Sequence, residues 1–149
     1  MFGHPLHPAI VHFPIALLLS ATAADVAWMA GITGDVRIGA ILMAGGLAMG
    51  LVAMGAGMID FAKLDQAIVP HAMRHMAAVS LAWLGYAVAL YLRKNSLTAA
   101  APLGSATIAL SICSAFVLAL GGWLGGRLVY TFGAGVWTAS RSAGSQSPG

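Results

Sequence analysis

Ile38–Phe61 reads IGAILMAGGLAMGLVAMGAGMIDF, and this stretch decides the fold. It carries one charged side chain, Asp60, next to its end. At about 1.5 Å rise per residue it is long enough, as a helix, to cross the ~30 Å hydrocarbon core of a bilayer. A segment in lipid must satisfy its own backbone, so a run of this kind predicts a membrane-spanning helix. Three further stretches have the same character: Pro8–Met29, Pro70–Leu92 and Leu103–Tyr130. The segments between them carry turn chemistry. Gly31-Ile32-Thr33-Gly34-Asp35 separates the first two, and Arg93-Lys94-Asn95-Ser96 with Pro102 separates the last two. The link Ala62–Val69 holds Lys63 and Asp65 and leads into Pro70, whose missing amide hydrogen suits the first helical position. The expectation is an all-α membrane protein, an up-down bundle of four transmembrane helices over residues 1–137. A disordered Ser/Gly/Pro-rich tail is expected over 138–149.

The composition of the whole 149-residue chain agrees. It is 60% hydrophobic and 7% charged, with a mean hydropathy of +0.89. A soluble domain carries about 25% charged residues, so there is too little polar surface here to cover a water-soluble globule. Disorder of the chain as a whole is excluded by the same numbers. Asp25, Asp35, Asp60 and Asp65 are the only acids, and seven Lys and Arg leave a net charge of +3. Those basic residues are scattered, whereas nucleic-acid binding needs a clustered basic face. No Ser-His-Asp, Cys-x-x-Cys, P-loop or dinucleotide-fold pattern occurs, so hydrolysis and nucleotide chemistry have no support.

A cleaved signal peptide ending near Ala21-Thr22-Ala23 is a rival reading of the first span. It fails for want of a positive n-region, because no Lys or Arg precedes Arg37. An even number of spans places both termini on one side. Lys63, Arg74, Arg127 and Arg141 fall there, and Arg37, Arg93 and Lys94 fall opposite, a balance that does not orient the chain.

Small residues recur at helical spacing. Gly39, Gly46, Gly50 and Gly57 lie on or near one face of the second span. Gly121/Gly125 and Gly122/Gly126 repeat the small-xxx-small spacing in the fourth. Such residues let helices approach closely in lipid. They suit tight packing within the bundle, a flat wall for a planar cofactor, or association with a second copy. Trp28, Tyr86, Tyr91, Trp123 and Tyr130 fall mostly near span ends, as an interfacial belt would. Trp83 is nearer mid-span. Cys113, the only cysteine, reads as inert packing, and the scattered methionines as gap-fillers. Asp25, near the far end of span one, is read as solvated or as bonded to a neighbouring helix.

The strongest functional signal is the histidines. His4, His7 and His12 surround the start of span one, and His71 and His75 begin span three. With short loops and four spans, both groups fall at one membrane face. Histidine is the commonest nitrogen ligand for metals, and ionisable groups within spans mark functional sites. His71 and His75 share a helix face by their i,i+4 spacing. His12 and His75 are expected at one depth, with His7 and His71 level at the lip. In an up-down bundle spans one and three are diagonal, so these side chains could grip a group on the bundle axis. Haem b with two axial imidazoles is the first candidate. A bare Cu, Fe or Zn ion is the second. Asp60, at the same face, reads as a ligand, as a partner orienting an imidazole, or as an i,i+3 pair with Lys63. Proton relay, and histidines that merely bond headgroup water, are the other uses. Pro14 predicts either a kink that opens the backbone near His12 or a bend entering the membrane.

The opening His4-Pro5-Leu6-His7-Pro8-Ala9-Ile10-Val11-His12-Phe13-Pro14-Ile15 resembles the signature of a bacterial membrane family, domain of unknown function 2231. The resemblance continues through Gly57-Met58-Ile59-Asp60-Phe61, the region of His75, and Gly122–Tyr130, and spans nearly all of the chain before the tail. It implies four spans in a bacterial inner membrane and singles out His7, His12, Asp60 and His75. Some members of the family carry an appended Rieske-type iron–sulfur domain, which implies electron transfer by analogy. This chain has no cysteine motif for such a cluster. The expectation is a small electron-transfer protein binding haem b, or a transition metal ion, through His12 and His75. His7 and His71 are further ligands, and Asp60 joins a metal set. It would work as a carrier or subunit beside a redox protein or in a larger membrane complex, not as a stand-alone enzyme. The alternative is a non-catalytic structural or assembly subunit with no cofactor. A transporter would place polar groups at the midplane, where these spans offer almost none.

Overall fold

A computed structural model of the chain describes residues 10–33, 35–98 and 102–134. Its helices are α1 (His12–Met29), α2 (Arg37–Phe61), α3 (Val69–Leu92), the short α4 (Lys94–Thr98) and α5 (Ser105–Tyr130). No strand occurs among the described residues. The four long helices are each long and apolar enough to cross a membrane. The expected tail over 138–149 and the first turn expected from Pro8 lie outside the described residues.

Helix ends follow the local chemistry. Gly31 takes φ +73° after α1, and the amides of Gly31 and Ile32 return to the carbonyls of Trp28 and Ala27. That left-handed residue satisfies orphan carbonyls that a side chain with a Cβ would reach only under strain. Pro70 stands at the start of α3, as its missing amide allows. Pro14 falls in the first turn of α1, and Val11 before the helix keeps helical dihedrals of −61° and −24°. A proline in that turn lacks an amide the helix would leave unpaired anyway, so α1 continues through it. The Arg93–Ser96 segment, expected as a plain turn, instead re-enters a helix. The amides of Ser96 and Leu97 both bond the Arg93 carbonyl, so α4 restarts directly from the end of α3.

The long helices run up and down in sequence. α1 packs closely on α2, and α3 on α5, while α1–α5 and α2–α3 meet over smaller areas. α1 and α3 are thus diagonal across the core. Leu18, Ala21, Met43, Leu47, Ala82, Tyr86, Ala89 and Leu118 form that core. Around it the outward faces are apolar as well: Ile41 is 70% exposed and Phe116 74%. A helix apolar on every side needs a non-aqueous surround, and lipid supplies it.

Close approach explains part of the glycine pattern. A Cβ on Gly46 would lie 2.7 Å from Leu18 Cγ, and one on Gly50 2.9 Å from Trp83 Cδ1. The Trp83 ring therefore lies against α2, where its Nε1–H donates to the Leu47 carbonyl at 3.0 Å. Gly122 meets nothing, so of the two small-residue pairs in α5 only Gly121/Gly125 is packed at both positions. Two expectations are corrected. Tyr86 is not in an interfacial belt but fully buried, whereas Tyr91, Trp123 and Tyr130 are exposed as expected. Cys113 lies exposed on the outer face of α5 instead of packing inside.

Gly46→Ala is expected to destabilise the bundle by about 1–3 kcal/mol through overpacking against Leu18. Gly55→Ala, on the same helix with open space around it, should be neutral or stabilising because alanine favours helix. Thermal unfolding of both variants in detergent reads the difference in sign.

Candidate functional site

At one end of the bundle the start of α3 packs against the end of α5. His75 lies one turn into α3, half-buried, with Nδ1 2.8 Å from the Gly121 carbonyl. A carbonyl only accepts, so Nδ1 carries the hydrogen and the neutral ring keeps its lone pair on Nε2. The ring rests against Gly125, where a Cβ would lie 2.9 Å from Cε1 and 3.1 Å from Nδ1. Gly121 makes room in the same way for the next turn of α3: a Cβ there would stand 2.8 Å from Val79 Cγ1. This glycine pair makes a wall, and an imidazole lies on it.

His71 sits one turn nearer the helix start. Its ring stacks on Phe132 at 4.2 Å between centroids, tilted by 38°. Its Nδ1 is buried and has no hydrogen-bond partner. Phe132 is brought there by the end of α5. Gly133, at φ +65°, reverses the chain, and the amides of Gly133 and Ala134 bond back to the carbonyls of Val129 and Leu128. Arg74, Leu124 and Arg127 complete a small pocket with these two rings.

The other predicted ligands are placed as follows. His12 is exposed, on the side of α1 turned away from its buried residues Pro14, Leu18, Ala21, Thr22 and Asp25. Asp60 is half-buried in the last turn of α2. His4 and His7 lie outside the described residues. Among the described residues no three His, Cys, Asp or Glu side chains converge into a metal-holding group.

At the opposite end the structure holds something the sequence reading did not assemble. Arg93, just past α3, reaches across the bundle diagonal to Asp25 of α1 in a two-pronged ion pair. Nη1 donates to Oδ1 at 3.0 Å and Nη2 to Oδ2 at 2.7 Å. Both side chains are sealed, at 0% and 1% exposure. Gly39 of α2 makes the room, because a Cβ there would collide with Asp25 Oδ1 and stand 2.9 Å from Nη1. One turn deeper, the Tyr86 hydroxyl and Thr22 are hydrogen-bonded at 2.8 Å, and the Thr22 and Ser111 hydroxyls at 3.1 Å. Polar bonds thus bridge the α1–α3 diagonal at this end. A usable signal was present: one acid near the end of span one and one arginine at the same level of span three, each costly in lipid alone.

Four helices long and apolar enough to cross a membrane define the class, a multi-pass integral membrane protein. The family model described as Predicted membrane protein (DUF2231) matches residues 3–138, and the chain belongs to that family. No curated protein and no solved structure matches it.

Proposed function

We propose that this protein carries haem b, or otherwise a Cu or Fe ion, at its histidine end and serves electron transfer in a bacterial inner membrane; a Zn ion held there would be structural, because Zn(II) has no redox chemistry. The observation behind the reading is the His75 hydrogen bond to the Gly121 carbonyl. Histidines that ligate metals almost always donate their second ring N–H to such a group, which fixes the tautomer and raises the basicity of the ligating nitrogen. His75 Nε2 is the ligand of this proposal. His7, His12 and His71 are the candidates for a second imidazole, and Asp60 joins them for a bare ion. A haem would supply one-electron chemistry; His75 Nε2 would hold it, against the wall made by Gly121 and Gly125. The electron partner is a redox protein or a larger membrane complex.

Haem and metal content of the chain purified in mild detergent tests the reading. One haem or one transition metal ion per chain is expected. Neither at stoichiometric level overturns it and favours a structural subunit without cofactor.

A further inference from the structure

The chain's four acids are all accounted for without Arg74 or Arg127. Asp25 pairs with Arg93. Asp35 and Asp65 accept backbone amides in their own loops, from Arg37 at 2.8 Å and Ala67 at 3.0 Å. Asp60 makes no ion pair with either arginine among the described residues. Segments outside the described residues contain no Asp or Glu. Arg74 of α3 and Arg127 of α5 therefore line one small pocket, and no carboxylate side chain among the described residues forms an ion pair with either. An anion bound between two such cations relieves their mutual repulsion.

The surroundings favour one kind of anion. Arg127 lies over the Trp123 ring at 5.1 Å and lines the pocket it shares with Arg74 and His71. The buried, unpartnered Nδ1 of His71 is a polar atom that the protein itself leaves unsatisfied. Beside the arginines the outward faces turn apolar, with Met73 and Trp123 exposed. The pocket thus sits where spanning helices end, at the level of lipid headgroups, with an apolar flank for acyl chains. Guanidinium groups match phosphate oxygens in two-pronged geometry.

We propose that Arg74 and Arg127, with His71 beside them, form a phosphate site that takes the phosphodiester of an anionic lipid headgroup. The site is separate from His75 and rests on the two arginines, so it stands whether or not His71 is drawn into a cofactor's ligand set. It gives this end of the bundle a preference for anionic lipid that the opposite end, where Arg93 is consumed by Asp25, does not share.

The test uses the full chain in nanodiscs of phosphatidylglycerol and phosphatidylcholine in equal parts. Native mass spectrometry counts retained lipids, and the tryptophan fluorescence lost in a Trp123→Phe variant follows occupancy. The wild type is expected to retain phosphatidylglycerol over phosphatidylcholine. Arg74→Gln/Arg127→Gln should weaken that preference about thirtyfold, a roughly fivefold share for each arginine. Arg74→Lys/Arg127→Lys, which keeps the charge, should retain part of it, and Arg37→Gln at the far end should retain all of it. Added inorganic phosphate should not displace the lipid; if it does, and also changes the Trp123-dependent fluorescence in neutral nanodiscs, the phosphate chemistry holds but its source is the free ion. A double Gln variant that unfolds is replaced by the two single variants, each expected to lose about fivefold. Equal lipid retention by wild type and folded Gln variants, with no response to inorganic phosphate, overturns the proposal.

Discussion

Asp25→Leu is expected to destabilise the protein by about 3–5 kcal/mol, and Asp25→Leu/Arg93→Leu to recover most of that loss. The reason is the burial of the pair. With Asp25 gone, a guanidinium at 0% exposure has no counter-charge, and its Nε already lacks a hydrogen-bond partner. Removing both charges leaves leucines in an apolar end of the bundle, which is often neutral or better. Arg93 stands at the end of α3, so a partial relief is open to it: the long side chain can snorkel toward the headgroups. That puts the single variant nearer the lower figure in lipid than in a rigid soluble core. Gly39→Ala should mimic the damage in part, because its Cβ would strike Asp25 Oδ1. Chemical unfolding in detergent, followed by tryptophan fluorescence, reads all four proteins. Equal losses for the single and double leucine variants would contradict the pair's role.

His75→Ala is expected to lose the cofactor altogether, and Gly125→Val to lose it while keeping His75 in the chain. The imidazole is seated by two features of α5, the Gly121 carbonyl that fixes its tautomer and the bare backbone at Gly125. A valine at 125 would need the space the ring occupies, displacing Nε2 from its position. Helix content should survive in both variants, since neither residue belongs to the central core. Gly122→Val, facing open space on the same helix, is the matched control and should keep full occupancy. A His75→Ala protein that binds as much haem or metal as wild type would remove His75 from the ligand set.

The spans were legible because lipid makes a simple demand. Uninterrupted apolar length with turn residues between sets the helices, and the bounds of α2, α3 and α5 differ from the sequence reading by at most two residues. Pro70 and Gly31 marked helix ends through their own dihedral chemistry. The interior was harder to read. Tyr86 sits near the end of a span, where belts occur, and only the position of Thr22 and Ser111 on two other helices draws its hydroxyl inward. Arg93 looked like a loop residue because the sequence shows its neighbours Lys94 and Asn95 but not Asp25 across the diagonal. Trp83 had no account until the Leu47 carbonyl and the gap over Gly50 appeared beside it. At the histidine end, the i,i+4 spacing put His71 and His75 on one face of α3. Their partners, Phe132 and Gly121, depend on how α5 lies against that face, which one chain's periodicity does not encode.

The most direct test of the central claim is a reduced-minus-oxidised visible spectrum of the detergent-purified protein, wild type beside His75→Ala. His75 as the ligand predicts haem b bands, or failing those a redox-sensitive metal signal, in the wild type and none in the variant. No signal in the wild type, or equal signals in both proteins, would contradict it.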